Sequence, residues 1–278
     1  MGNKIDFEEC GKQILKKYLE ASKEEYGYIP KHCYETKIEF IDPARRIKSH
    51  ADLMSNKIII NKFNDGDLEW EIFHEMEHIR TANNIYNNMQ TGIRGEGLTT
   101  ELNSVNEALT ELAVSQLLKR KKQDVYDFAY LETVYLTRQL GALISLTDDR
   151  LLLKFYKTNG YNEFKQYIIN ALKDENAFYT IQHLLENLHK KHLDDLYKEY
   201  DKKGFVENIP LGKSSSLLTK LLRRSYQRFL QQQLKTLKTK QIISNEEYIK
   251  RLSLVKKYNP YKTKNFQIFE GDYTMSNN

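Results

Sequence analysis

Apolar residues recur at helical spacing from the start of the chain. Ile5, Phe7, Cys10, Ile14, Tyr18 and Leu19 share one face of a helix expected over residues 4 to 24. The rhythm then changes to alternation. "TKIEFID" (36 to 42), closed by Pro43, and "NKIIINKF" (56 to 63) are rich in β-formers and read as strands. After the turn "NDGD", Asp67 is placed to cap a helix running from Leu68 to about Asn83. The glycine- and asparagine-rich stretch 83 to 97 reads as a loop. A helix follows from about Thr100 to Lys122, with Leu102, Val105, Leu109, Leu112 and Leu117 as its apolar stripe. Beyond 125 the pattern is helical throughout, in segments 126–144, 147–158, 161–172, 175–199, 214–239 and 244–257. No internal repeat is present. The expected fold class is α+β and mainly α-helical: residues 1–124 form the α+β part, 125–260 an α-helical domain, and 261–278 a flexible tail.

Composition narrows the classes. The 278 residues are 40% hydrophobic and 29% charged, ordinary for a globular protein with a substantial core. No apolar run is long enough to span a membrane. The charged, amphipathic N-terminus has no signal-peptide core, so a cytoplasmic protein is expected, with leaderless export left open. Asp6 stands where a myristoylation signal requires Ser or Thr. Two cysteines, Cys10 and Cys33, cannot build a disulfide framework. The net charge of +5 is uneven: residues 202 to 264 hold 16 Lys/Arg against 3 Asp/Glu, a net of +13, leaving 5 − 13 = −8 elsewhere. Such a segment can contact nucleic acid or an acidic partner. It can also be the solvated face of helices docked on an acidic body, and the apolar pattern running through it favours that reading.

The candidate chemistry lies in "EIFHEMEHIR" (71 to 80). His74 and His78 are four residues apart, one turn along a helix, so two imidazoles can aim at one point. Glu75 falls beside the first. This is the H-E-x-x-H pattern, in which two histidines hold zinc and the glutamate acts as general base. Trp70, Phe73 and Ile79 supply buried contacts, and Ile72 and Met76 form an apolar i, i+4 pair. A catalytic zinc needs a third protein ligand and one open position. Position 84, where an extended motif has a third His, is Asn. Downstream, "NEALTE" (106 to 111) offers Glu107 and Glu111 on one helix face, after a glycine-bearing loop that lets the second helix turn back.

Together these motifs resemble the gluzincins, the thermolysin-like zinc metallopeptidases, in which a second helix carries N-E-x-x-x-D. Asn106-Glu107 matches the N-E pair, and Glu111 stands where the family has Asp. The resemblance covers roughly residues 36 to 120. It implies a small zincin-type sheet packed on the HExxH helix, with the helical part C-terminal to it. It also implies His74, His78 and Glu107 as ligands of one Zn2+, Glu75 as catalytic base, and Glu111 with Asn106 in supporting positions. Glu111 would orient the ring of a zinc-bound His. The strand 56 to 62 would be an edge strand that pairs with an extended peptide. The helical remainder is also similar to uncharacterised zincin-like proteins of low-GC Gram-positive bacteria, which implies no substrate. One residue departs from the pattern: zincin helices usually carry an uncharged residue before the second His, and here it is Glu77, at a position that can face solvent but with no role read from the sequence.

The expected function is therefore zinc-dependent hydrolysis of peptide bonds by a zinc-activated water. The tetrahedral intermediate needs a further donor, which gluzincins supply with Tyr or His. Tyr130 and Tyr135 on the next helix are candidates, though packing is the default role for either. The alternative is a catalytically silent zincin-fold module whose segment 202–264 contacts nucleic acid or an acidic partner. Two weaker ligand sets are Cys33, as in peptide deformylases but without their sequence context, and His183, His189 and His192. Lys190 and Lys191 flank the last two, so a surface helix face is expected there.

Overall fold

The computed structural model describes residues 6–41, 49–61, 67–84, 88–91, 102–119, 128–158, 160–203 and 216–259. The tail 261–278 lies outside them. The first helix, α1 (Phe7–Tyr26), starts where the Asp6 carboxylate accepts from the Glu8 and Glu9 amides, and it ends at Gly27. Gly27 has φ 74°, the left-handed conformation that glycine adopts at least cost. A short helix, α2 (Lys31–Tyr34), leads into β1 (Lys37–Ile41); β2 (His50–Asp52) and β3 (Lys57–Asn61) follow.

The sheet order is β1-β3-β2, with β1 parallel and β2 antiparallel to β3. The strand expected at the edge is therefore the central one. Both sides of β3 are hydrogen-bonded, so it has no free edge for a peptide. Ile58 and Ile60 point to one face and are buried, and Ile38 and Phe40 stand opposite them in register. Helix α1 lies close on that face because residue 11 is glycine: a Cβ there would sit 3.0 Å from the Phe40 ring.

The helix α3 (Leu68–Arg80) is capped by Asp67, whose side chain accepts from the Trp70 amide. It stops three residues before the expected Asn83. The stretch read as a loop contains β4 (Ala82–Asn84) and β5 (Asn88–Thr91), paired antiparallel. Then come α4 (Asn103–Leu117), α5 (Phe128–Leu143), α6 (Asp149–Lys157), α7 (Tyr161–Leu172), α8 (Glu175–Lys203), α9 (Leu217–Thr239) and α10 (Asn245–Lys257). Among the described residues, no helix is long and apolar enough to cross a membrane.

Two apolar clusters form. One joins Tyr18, Ile58, Ile60, Phe73, Met76 and Ile79; the other is built by α5 to α10 around Leu140, Tyr156, Phe164, Phe178 and Leu230. Helix α4 belongs to both, giving Leu109 and Ala113 to the second and Val114 and Leu117 to the first. The expected boundary near 124 thus falls just after a helix that the two cores share.

The polar residue before the second histidine does not face solvent. Glu77 is fully buried. It accepts from Arg80 Nε at 2.9 Å and Nη2 at 2.7 Å, and from the Tyr18 hydroxyl at 2.7 Å. The Arg80 guanidinium lies over the Tyr26 ring, 4.0 Å from its centroid. Burial opposes the charge on Arg80, and the Glu77 carboxylate restores it. Burial and then the Glu77 charge push the Tyr18 phenol up, so it remains a donor. Glu77 is the ion-paired polar element of the first core, on the flank of α3 turned to α1.

Candidate metal centre

Helix α3 carries His74 and His78 one turn apart, and α4 packs against it with Glu107. Three atoms converge. His74 Nε2 lies 3.1 Å from His78 Nε2 and 3.2 Å from Glu107 Oε2, and His78 Nε2 lies 3.3 Å from the same oxygen. Two lone-pair nitrogens and a carboxylate oxygen repel one another unless a cation sits among them. A tetrahedral ion with bonds near 2.05 Å sets its ligand atoms about 3.3 Å apart. The observed triangle has that size. The residues therefore fit a metal ion, and they form a possible metal-binding triad among the described residues. His74 has a side-chain exposure of 7%, against 13% for His78 and 14% for Glu107, so the centre opens over the last two.

The supporting contacts fix the ligands. His74 Nδ1 donates to Glu111 Oε1 at 2.9 Å, leaving Nε2 to face the centre. The other oxygen of Glu111 accepts from the Trp70 indole at 2.9 Å. One carboxylate thus ties α4 to α3 at two points and sets the His74 ring plane. Burial opposes a charge on His74, yet the Glu107 and Glu111 carboxylates outweigh it and raise the imidazole pKa well above its ordinary value. Burial also opposes ionisation of Glu107, and the charge of His78 with hydrogen bonds from both histidines holds its carboxyl well below the usual range. Such a centre attracts cations, protons and metal ions in competition.

Glu75 is half-buried beside His74 and has no hydrogen-bond partner among the described residues. Asn106 is buried, and its carbonyl accepts from Thr110 Oγ1 at 2.9 Å. The two tyrosines separate. The Tyr130 ring stacks on His74 at 5.3 Å between centroids, interplanar angle 25°. Tyr135 comes five residues later, about 140° further round the helix. It is buried near Arg138, where burial raises its phenol pKa and the guanidinium offsets part of that. The structure brings Tyr130 to the centre and gives Tyr135 a place in the packing. Cys33 is buried in the first core, its thiol pushed up to about 12 by desolvation, and is no member of the triad.

His189 and His192 do not lie on a surface face. Both are buried, while His183 is exposed. His189 stacks on the far side of Tyr130 at 5.9 Å, and its Nδ1 pairs with Thr133 Oγ1 at 3.0 Å. His192 Nδ1 lies 3.0 Å from Glu132, which also takes a double hydrogen bond from Arg223 of α9. One turn before His189, Glu186 accepts from the Ser104 amide at 2.9 Å and its hydroxyl at 2.8 Å. It thereby caps α4, whose own N-cap residue, Leu102, has φ 56° and makes no side-chain cap. Helix α8 therefore buttresses the centre twice, through α4 and through Tyr130. The sequence analysis did not single out Glu186, and it placed His189 and His192 on the surface. The stripe Leu185, Leu188, His189, His192 holds the signal, because those histidines occupy core positions.

Glu186→Ala is expected to lower the unfolding free energy by about 1–2 kcal/mol, as loss of a helix cap does, and to weaken metal binding severalfold. Denaturant unfolding and metal titration measure these two effects. Replacing exposed Glu175 on the same helix should change neither.

No protein-family model, no curated protein and no solved structure matches the chain.

Proposed function

We propose that this chain is a zinc-dependent metallopeptidase. The observation that carries the proposal is the triangle of His74, His78 and Glu107 ligand atoms at 3.1–3.3 Å, opening on the side of His78 and Glu107. Two imidazoles and one carboxylate form a donor set suited to zinc at a hydrolytic site, where a fourth position stays available. Zinc supplies Lewis acidity there, acidifying water and polarising a carbonyl.

The chain's own residues perform the rest. Glu75, uncommitted beside His74, takes the proton from the attacking water and returns it to the leaving amine. Among the described residues its carboxylate has no hydrogen-bond partner, which favours turnover over the catalytically silent alternative. Glu111 and Trp70 hold the His74 ring. The Tyr130 hydroxyl is the donor for the carbonyl oxygen as it gains charge. An extended peptide pairs with β2, the antiparallel edge strand, rather than with β3.

Metal analysis tests the reading. About one zinc per chain is expected after purification, and a metal-free preparation that fails to take up zinc overturns it. Glu107→Gln should weaken zinc far more than Glu111→Gln, for which a loss of about 10- to 100-fold is expected. The reverse order would exchange their roles.

A further inference from the structure

Helix α9 has 23 residues and no Asp or Glu. Its inward face is explained: Tyr226, Leu230, Leu234 and Leu237 are buried in the second core, and Arg223 is buried against Glu132. Its outward face is not explained by the fold. Lys220, Arg224, Arg228, Lys235 and Lys238 are all exposed. At 3.6 residues per turn they fall within about 80° of arc, along about 27 Å of helix. Among the described residues, Lys220, Arg224, Arg228 and Lys235 have no carboxylate partner, and Lys238 rests 4.8 Å from the Tyr248 ring centroid. The other residues in that arc are Gln231 and, in the first turn of the helix, exposed Leu217. A cation row of this length without one anion costs self-repulsion. Among the described residues, no carboxylate offsets it.

We propose that this ridge docks on the phosphate backbone of a double-stranded nucleic acid, without regard to base sequence. A straight helix of about 27 Å meets a duplex that carries a phosphate about every 3.4 Å on each strand. The planar forks of Arg224 and Arg228 suit phosphate oxygens. An acidic protein surface seldom offers an unbroken anionic line of that length; a duplex does so by construction. A single strand is disfavoured because its binders stack bases on exposed aromatics. The aromatics of α9, Tyr226 and Phe229, are buried and half-buried. A lipid surface would need an apolar face along the helix. The apolar face of α9 lies in the core, and only Leu217, Leu218 and Leu221 at one end are exposed. The docking is independent of the metal centre and would hold the chain near proteins assembled on nucleic acid.

The test is fluorescence anisotropy of a labelled 24-base-pair duplex with the full chain, across a salt series. If the five cations each neutralise one phosphate, affinity falls about 500-fold between 50 and 200 mM salt, and about 40-fold for the Arg224→Gln/Arg228→Gln variant. That variant should also bind more weakly than the parent at every salt concentration, while Arg224→Lys/Arg228→Lys keeps most of the affinity. Circular dichroism checks that each variant is folded. Glu75→Gln and zinc-stripped protein should bind the duplex as the parent does, which separates this result from the fate of the peptidase reading. No duplex binding at 50 mM salt overturns the proposal. So does binding that the glutamine variant leaves intact, and so does binding confined to single strands or to phosphatidylserine vesicles.

Discussion

Glu75→Gln is expected to fold and bind zinc as the parent does, and to hydrolyse peptides about 10² to 10⁴ times more slowly. The expectation rests on position. Glu75 is absent from the converging triad, so amide for carboxylate removes no ligand. It lies half-buried next to His74 and carries no structural hydrogen bond among the described residues, so its loss leaves no buried partner stranded. What disappears is a carboxylate able to take a proton. The measurements are zinc content, thermal unfolding and turnover of a peptide library by both proteins. Equal turnover would sink the assignment of Glu75 as base. Loss of zinc in the variant would show that Glu75 is a ligand.

Glu77→Ala is expected to cost about 3–5 kcal/mol of unfolding free energy. Glu77 is fully buried, and both its oxygens are taken up by Arg80 at 2.7–2.9 Å. The truncation leaves a guanidinium buried without its counter-charge and a Tyr18 hydroxyl that loses its shortest contact. The total stability of a domain is only about 5–15 kcal/mol, so the variant stands near the edge of folding. Removing both charges with Glu77→Leu/Arg80→Met should recover most of the loss, because well-packed apolar pairs often equal buried ion pairs. Urea unfolding of Glu77→Leu, Arg80→Met and the double variant reads the coupling. A Glu77→Ala cost below about 1 kcal/mol would mean that water reaches Arg80 and that the pair is not a core element.

The long elements were legible in the sequence, for a physical reason. Each long helix carries an apolar stripe over several turns, so α3 and α5 to α10 declare themselves through local spacing. The short elements have no such redundancy: α2 holds four residues and β2 three. Register across strands is a non-local property. The alternation of Ile58 and Ile60 marks a strand with one buried face, but nothing in it names both neighbours, so β3 could be taken for an edge.

The candidate pair His74 and His78 was legible because one helix places both. Glu107 and Glu111 required the expectation that α4 would fold back on α3. The errors at Glu77, His189 and His192 share a cause. Each is a polar residue at a core-facing helical position, and its type outweighed its phase. Glu77 is in step with Phe73 and Arg80; the histidines are in step with Leu185 and Leu188. A partner within one turn, Arg80, or across an interface, Glu132 and Thr133, is what lets each be buried. The roles of Glu186 and Tyr130 depend on the approach of α8 from far along the chain, which no local pattern encodes.

Helix α4 lies in both cores and also carries Glu107. A metal ion held between α3 and α4 would therefore stabilise the whole chain, not just the place where it binds. At a free ion level about 1,000 times its dissociation constant, that stabilisation reaches about 4 kcal/mol. Withdrawing the ion would raise the fraction of open molecules about a thousandfold by the same relation, and it is open molecules that cellular proteases degrade. If the triad holds zinc as proposed, zinc scarcity would thus shorten the protein's lifetime. On that reading, its abundance would follow the zinc supply.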